Sequence, residues 1–224
     1  MHTSTTPSPS HRAVRRLAWA AFTVFTFSTA AHTDPVAGQG TWETTLSPRD
    51  LDGDGVADAY YDSATRSTWL ADANPTDGPM SWDDAKAWAR QYKVNGIKGW
   101  RLPRLREFGN PGCDFGFFDT DCGFNVRTTQ SELAYMYYVT LGNKSYYDTA
   151  GNPGQPGWGL TNTGPFSKLQ AAWYWSNNEY KPFPDRAWEF DNSVGGQSWP
   201  EKQNLFYVWL VRTGDVGTPV AGGR

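Results

Sequence analysis

The chain has 224 residues and a formal net charge of −3, which excludes the strongly basic surface typical of nucleic-acid-binding proteins. Aromatic residues make up 16% of it, with 12 Trp, 11 Tyr and 12 Phe, and it also contains 23 Gly and 15 Pro. We therefore expect the long loops of an extracellular domain and a core of aromatic rings, whose N–H and O–H groups need polar partners when buried.

The N-terminus has the pattern of a secretory signal peptide. A positive stretch ends at Arg16, an uncharged and mostly apolar run extends from Leu17 to Phe27, and small residues lead up to Ala31. That run is shorter than the roughly 20 residues that span a bilayer, and an uncleaved anchor is the alternative. We expect cleavage near Ala31 and a secreted or extracellular protein, with the periplasm or cell envelope as alternative locations.

The expected division of the chain is a signal peptide at 1–31, a flexible leader at 32–41, one domain at 42–215 and a disordered tail at 216–224. The length that remains after cleavage suits a single domain. No later segment is apolar enough to span a bilayer, so we expect no membrane span after cleavage.

An acidic loop is the sharpest local motif. Asp50, Asp52 and Asp54 alternate, a glycine follows, and Asp58 comes three residues later. Alternating carboxylates let one loop wrap oxygen ligands around Ca²⁺, which makes calcium the candidate cofactor. The twelfth position of the loop is Tyr61 rather than the bidentate glutamate of an EF-hand. A solvated acidic turn without metal is therefore the alternative.

Two helices are predicted. After a short strand at 67–70, Ser81 caps a helix whose apolar residues recur at helical spacing and which ends before Gly96. Thr129 and Glu132 form a capping box for a second helix. Between the helices, Arg101 is expected to pair with a carboxylate such as Glu107 or to cap a buried carbonyl.

Cys113 and Cys122 are the two cysteines of the chain. An even pair in an exported protein usually forms a disulfide, here closing a small loop worth about 2–3 kcal/mol of stability. A reactive thiol and two free thiols are the alternatives. The spacing is not C-x-x-C, and His32 is the one histidine beyond the expected signal.

Three strands are predicted in the C-terminal part, at 172–176, 187–191 and 205–212, with Gly195 and Gly196 turning the chain between the last two. The last strand is apolar on both alternating faces, which is typical of a central strand covered on both sides. Two helices with short antiparallel strands and long loops predict an α+β domain.

Several short segments together carry a family resemblance. They are Trp69-Leu70-Ala71-Asp72-Ala73-Asn74, Trp82-x-x-Ala85, Gly99-Trp100-Arg101-Leu102-Pro103, Tyr174-Trp175-Ser176-x-x-Glu179-Tyr180, Ala187-Trp188-x-Phe190 and Val211-Arg212. In this order they resemble the Lcl C-terminal domain family of bacterial secreted proteins. The resemblance implies a fold similar to C-type lectins and to the formylglycine-generating enzyme. It also implies a role in glycan binding, because family members with a known role look like surface adhesins that bind glycans.

Two further segments resemble a subgroup of the family that often ends in a PEP-CTERM sorting tail. They are Leu141-Gly142-Asn143 and the run from Gly157 to Phe166. Because the sequence reaches Arg224 without that tail, we expect release from the cell rather than retention in the envelope.

An aromatic and polar cluster is the candidate ligand site. Its members are Trp175, Asn177, Asn178, Glu179 and Arg186. Aromatic faces stack on sugars while amides and carboxylates bind hydroxyl groups, a combination common in ligand pockets. The alternative is that the rings belong to the core of a domain with few aliphatic residues.

No residues with the pattern of a catalytic site stand out, so we expect no enzyme activity and no cofactor other than calcium. The leading hypothesis is a binding module for a glycan or another surface ligand, with no nucleic-acid partner. A structural extracellular or envelope protein is the first alternative. An enzyme related to formylglycine generation or carbohydrate hydrolysis is the second.

Overall fold

The computed structural model describes residues 35–106 and 113–220, so the expected signal at 1–31 lies outside the described residues. The helices are α1 (Trp42–Thr45), α2 (Trp82–Gln91) and α3 (Glu132–Tyr135), which continues as a π-helical segment, Met136–Thr140. The strands are β1 (Leu46–Asp50), β2 (Ala59–Asp62), β3 (Ser67–Leu70), β4 (Gly123–Phe124), β5 (Trp173–Glu179), β6 (Ala187–Asp191), β7 (Gly196–Ser198), β8 (Val211–Thr213) and β9 (Thr218–Pro219). These elements confirm an α+β domain of short antiparallel strands.

The first sheet has the strand order β8-β3-β2-β1-β9, and all its pairings are antiparallel. The acidic loop joins β1 to β2, so the candidate calcium ligands lie at one end of this sheet. Part of the expected disordered tail is ordered here, because Thr218 pairs with Asp50 and the Val220 N–H donates to the Pro48 carbonyl at 3.4 Å. Backbone pairing with β1 holds this segment in place.

Part of the expected flexible leader is also packed against the domain. The Thr41 N–H donates to the Thr140 carbonyl at 3.0 Å, and the Gln39 amide donates to the Gly142 carbonyl at 3.2 Å. Gly40 lies so close to Gly142 that a Cβ at position 40 would fall 2.6 Å from the Gly142 nitrogen. Glycines at both positions therefore let the two backbones approach each other.

The second sheet has the order β4-β7-β6-β5, again antiparallel. The strand predicted at 187–191 is confirmed, and the one predicted at 172–176 extends to Glu179. The predicted turn at Gly195 and Gly196 leads instead into an unpredicted strand: Gly195, with φ of 63°, lies in the turn between β6 and β7, and Gly196 begins β7.

The central strand predicted at 205–212 is wrong as a regular strand. Only its end belongs to β8, which lies at the edge of the first sheet. The preceding residues connect the two sheets: the Tyr207 N–H donates to the Trp173 carbonyl of β5, and the Leu70 N–H of β3 donates to the Leu210 carbonyl. Most of this segment, 206–210, is buried between the sheets, which accounts for its apolar residues on both faces, and its backbone bonds are shared among several partners.

The first predicted helix is confirmed. The Ser81 hydroxyl accepts the N–H of Asp84 at 3.4 Å, and Trp82, Ala85 and Ala89 form the buried face of α2. Tyr92 leaves the helix with an extended ψ of 134°, so α2 ends at Gln91, well before Gly96.

The capping residue predicted for the second helix is wrong. Ser131, not Thr129, caps α3, and its hydroxyl accepts the Ala134 N–H at 3.2 Å. Glu132 is instead engaged by Arg101, whose guanidinium donates to both carboxylate oxygens at 2.6 and 2.8 Å. Arg101 therefore pairs with a carboxylate, as expected, and this carboxylate is Glu132. Glu107 lies outside the described residues.

Aromatic rings dominate the core, as composition predicts. Trp69, Trp175 and Trp209 are among its largest fully buried side chains. The Trp175 indole donates to the Met80 carbonyl and the Trp209 indole to the Leu70 carbonyl, each at 2.9 Å. The Trp69 N–H, in contrast, is buried without a partner in the described part of the chain. Most buried rings of the core therefore have a hydrogen-bond partner for their N–H or O–H group, but not every ring does.

The predicted disulfide is confirmed. Cys113 and Cys122 are bonded, with their Cα atoms 5.0 Å apart. Cys122 is buried against Leu105 and Trp188, so the bond ties the 114–121 loop, which is exposed over most of 114–119, to the second sheet.

Candidate functional site

Trp175 of the predicted ligand cluster lies in the core. It is 0% exposed, and its ring packs against Phe206 with centroids 4.4 Å apart. Since its indole N–H is also bound to Met80, no face or edge of this ring is free to meet a ligand. The structure therefore assigns Trp175 to packing.

The two asparagines that follow serve the backbone around them. The Asn178 side-chain oxygen accepts the Leu105 N–H at 2.9 Å, which fixes the segment leading to the disulfide loop. The Asn177 backbone donates to the Pro103 carbonyl at 2.7 Å and accepts the Lys86 ammonium at 2.8 Å. The side chain of Asn177 is half-buried and takes part in none of these bonds.

Glu179 and Arg186 lie at the far end of the β5–β6 hairpin, away from the Trp175 ring. The Glu179 carboxylate pairs with Lys202, and Arg186 pairs loosely with Glu201 at 3.4 Å. The cluster predicted from sequence thus separates into a core ring, one amide that binds backbone (Asn178), a half-buried Asn177 side chain and surface ion pairs.

Arg186 belongs to an aromatic patch formed by Tyr180, Phe183, Arg186 and Trp199. Tyr180 and Trp199 stack with centroids 4.6 Å apart and planes 5° apart, and the Arg186 guanidinium lies 5.0 Å from the Trp199 ring centre. The faces of Trp199 are therefore occupied by the patch itself. Phe183 is the member with the most exposed ring, at 52%.

A cavity of about 430 Å³ opens on the other side of the same sheet, and we call it the Glu189 pocket. It is lined by Trp173, Glu189, Ser198, Pro200, Asn204, Leu205 and Phe206. Strands β5, β6 and β7 supply the first three of these residues, and the segment that connects the two sheets supplies the last three. Trp173 is 50% and Leu205 63% exposed, so large apolar side chains rim the opening.

Glu189 is the buried polar group of this pocket. It is 4% exposed, and its Oε1 accepts the Ser198 hydroxyl at 2.5 Å. Its Oε2 is buried and has no hydrogen-bond partner within the described residues. A buried polar atom without a partner costs about 1–3 kcal/mol, and such groups are rare in native proteins.

Burial raises the pKa of Glu189 to about 8, a rise that the Ser198 hydroxyl opposes and the nearby Asp191 carboxylate reinforces. A carboxyl group in this state is neutral at pH 7 and can donate as well as accept a hydrogen bond. Perturbed titration in a concave site is typical of functional residues, although structural groups show it too.

This site was not predicted from the sequence. The sequence feature that could have revealed it is a glutamate between Trp188 and Phe190, inside the strand that was correctly predicted at 187–191. A carboxylate flanked by two large rings in a well-covered strand is a candidate buried polar group, because charged side chains are rarely buried without a partner.

The acidic loop brings together three of its four predicted ligands. Carboxylate oxygens of Asp50, Asp52 and Asp58 lie within 4.8 Å of one another. Asp54 is outside this group, and its carboxylate accepts the Val56 N–H at 2.8 Å. The three carboxylates offer the hard oxygen donors that Ca²⁺ prefers, and they account for part of the roughly six to eight oxygen ligands that this ion takes.

Asp50 also organises the loop itself. Its two carboxylate oxygens accept the N–H groups of Gly53 at 2.6 Å and Gly55 at 2.8 Å. These backbone bonds hold the pKa of the Asp50 carboxyl below its usual value. The loop is therefore shaped around an ionised carboxylate.

Comparisons with known proteins place the chain by its sequence. Searches of curated proteins and of solved structures returned no match. Within residues 35–106 and 113–220, no helix is both long and apolar enough to cross a membrane. The sequence model of the Lcl C-terminal domain matches residues 58–212, about two thirds of the chain. The chain belongs to the Lcl C-terminal domain family.

Proposed function

We propose that the protein is a secreted, non-enzymatic binding module that engages a glycan of a cell surface or matrix at the Glu189 pocket. The observation that carries the proposal is that a half-exposed tryptophan, Trp173, and a buried, incompletely bonded carboxyl group, Glu189, line one cavity. Sugars combine apolar C–H faces with hydroxyl groups, and this cavity offers a partner for each.

The apolar partner is the Trp173 ring, which stands at the rim and packs on Phe206 with centroids 5.0 Å apart. That contact fixes the ring, so little rotamer freedom is lost when a sugar stacks on it. The polar partners are Glu189, Ser198 and Asn204, which line the same cavity. Its volume of about 430 Å³ lies in the range of small-ligand sites, which run from about 300 to 1,000 Å³.

The proposal includes a C-type-lectin-like arrangement of the domain. Support comes from α2 and α3 beside two antiparallel sheets, and from the pairing of β1 with β9 near the two ends of the described chain. The long irregular segment between the π-helical turn and β5 is further support. Secretion is supported by the signal-like N-terminus and by the disulfide, which needs an oxidising compartment.

The competing functions are a structural protein without a small-molecule site and an enzyme. The Cys113–Cys122 bond weighs against thiol chemistry, because a disulfide holds no thiolate. A structural role would leave the unpartnered Oε2 of Glu189 unexplained, since an apolar residue would pack there at lower cost.

A glycan panel tests the proposal with two tryptophan variants. Trp173→Ala should weaken binding of any glycan hit by about tenfold or more, because stacking on an exposed aromatic ring is lost. Trp158→Ala is the matched control, since Trp158 is similarly exposed, at 41%, and does not line the pocket. A silent panel, or equal loss in both variants, would contradict a glycan site at Glu189.

We also propose that Ca²⁺ binds the acidic loop and stabilises the β1–β2 connection. Millimolar calcium should raise the melting temperature of the protein, because an ion that binds only the folded state shifts the unfolding equilibrium. Asp52→Asn should abolish the shift. Asp54→Asn, in the same loop but outside the carboxylate group, should keep most of it. An unchanged melting temperature in the unsubstituted protein would remove calcium from the account.

A further inference from the structure

We propose that the Glu189 pocket selects ligands that carry a protonated amino group, so that its glycan is an amino sugar with a free amine. This inference rests on the proposed function and adds the chemistry that the site recognises. It follows from the bonding of the Glu189 carboxyl group, from the charge of the pocket and from its aromatic lining.

The carboxyl group has one oxygen to offer. Oε1 is taken by the Ser198 hydroxyl at 2.5 Å, whereas Oε2 is buried and accepts no bond from the described residues. A ligand that donates to Oε2 removes the cost of an unpartnered buried oxygen, about 1–3 kcal/mol. An ammonium group offers up to three N–H donors, and its bond to a carboxylate is roughly twice as strong as a neutral one.

The charge of the pocket favours a cation. Glu189 is the one formally charged side chain among the described residues that line it. The charged group that acts most directly on Glu189 is Asp191, a second carboxylate on the same strand. The residues opposite Glu189 on the neighbouring strands are uncharged: Trp175 on β5 and Ser198 on β7. Glu189 is neutral at pH 7 in the absence of a ligand, and a ligand ammonium close to it would stabilise its ionised form. A ligand carboxylate or sulfate would oppose this ionisation and would gain no such attraction.

The aromatic lining adds a second attraction. Trp173 and Phe206 both line the cavity, and the Trp173 ring is half exposed. Ring faces attract cations within about 6 Å, by about 0.5–2 kcal/mol depending on exposure. N-acetylation of an amino sugar removes the positive charge, so it weakens both this contact and the bond to Glu189.

A matched pair of oligosaccharides tests the inference by calorimetry. The probes are the β-1,4-linked tetrasaccharide of glucosamine and its fully N-acetylated counterpart. We expect the free-amine probe to bind the unsubstituted protein about tenfold tighter or more, which corresponds to about 1.4 kcal/mol. Glu189→Gln keeps the side-chain shape and should bring the two affinities within about twofold of each other.

The outcomes separate this inference from the proposed function. Equal affinities in the unsubstituted protein, or a preference that survives Glu189→Gln, would overturn amine selection while leaving a glycan site in place. If neither oligosaccharide binds, propylammonium and the neutral propanol are compared by NMR. Perturbation of the Trp173 indole signal by propylammonium alone would support amine selection and remove the glycan. Silence with both small probes would overturn amine selection as well.

Discussion

Trp175 and Glu189 lie directly opposite each other in the pairing of β5 with β6, but they have different surroundings. Phe206 and the Met80 carbonyl enclose the Trp175 ring, whereas Glu189 lines an open cavity beside the half-exposed Trp173. The sequence pointed to the first of these partners as a ligand residue. The structure buries this residue in the core, and the proposed ligand site contains its partner Glu189.

The stability of the protein should fall as pH rises through the neutral range, and Glu189 should be the cause. Its pKa is raised to about 8 in the folded state, from 4.5 in the absence of burial. Between these values the folded state binds more protons than the unfolded state, so raising the pH favours unfolding until the folded-state pKa is passed. The loss is on the order of 2–4 kcal/mol.

Urea unfolding of Glu189→Gln from about pH 5.5 to about pH 8.5 checks this pH dependence, because amides do not titrate in that range. The difference in unfolding free energy between the variant and the unsubstituted protein should grow with pH in favour of the variant. A constant difference would show that Glu189 is ionised throughout that range.

The disulfide should contribute measurable stability. Replacing Cys113 and Cys122 by serine together should lower the free energy of unfolding by about 2–3 kcal/mol, because the unfolded chain regains the entropy of a small closed loop. Comparison of urea midpoints, with reduced protein as a second reference, measures the effect. A change below about 0.5 kcal/mol would indicate that the unfolded state is already restricted.

The Arg101–Glu132 pair should matter more than a surface pair. Their side chains are 14% and 26% exposed, and two N–H donors of Arg101 reach the carboxylate. Glu132→Gln should cost about 1–3 kcal/mol, because it leaves a poorly solvated guanidinium without its counter-charge. Glu201→Gln is the control: that side chain is 61% exposed and 3.4 Å from Arg186, so its loss should cost less than about 1 kcal/mol. Equal costs would contradict the structural role of the first pair.

Two glycine substitutions separate backbone strain from packing. Gly195 has φ of 63°, and a Cβ there would lie 2.8 Å from the Tyr137 ring and 2.9 Å from the Ser145 Cα. Gly154 has φ of 72° and open space around it. Gly154→Ala should cost about 1–2 kcal/mol from its left-handed conformation, and Gly195→Ala about 1–3 kcal/mol more. Thermal unfolding measures the loss of stability in both variants. Equal losses would contradict the close packing around Gly195.

Local patterns predicted the parts of the fold that local chemistry determines. The Ser81 cap, the 187–191 strand and the Cys113–Cys122 bond depend on neighbouring residues or on an oxidising compartment, and all three are confirmed. Thr129 failed as a cap because the Glu132 N–H that it would bind donates to the Arg104 carbonyl at 3.0 Å, and because Arg101 engages the Glu132 carboxylate. A distant contact of this kind leaves no trace in a local pattern.

The sequence predicted the region of the candidate site but not the residues that line it. Aromatic content along β5 indicated rings near a ligand, but hydropathy could not separate the buried Trp175 from the half-exposed Trp173 two residues earlier. The same face of the sheet carries both residues, and only the segment around Phe206 decides which ring it covers. The crossing of that segment between two sheets depends on tertiary packing, which the strand pattern at 205–212 did not reveal.

The most direct test of a ligand site at Glu189 is an NMR titration that follows the indole N–H signals of the tryptophans. The probes are the glucosamine tetrasaccharide and its N-acetylated counterpart. The account predicts that the free-amine probe shifts the Trp173 signal in a saturable way, that the N-acetylated probe does so only at higher concentration, and that the Trp158 signal stays in place. A saturable shift confined to Trp158, or no shift at Trp173 with either probe, would contradict it.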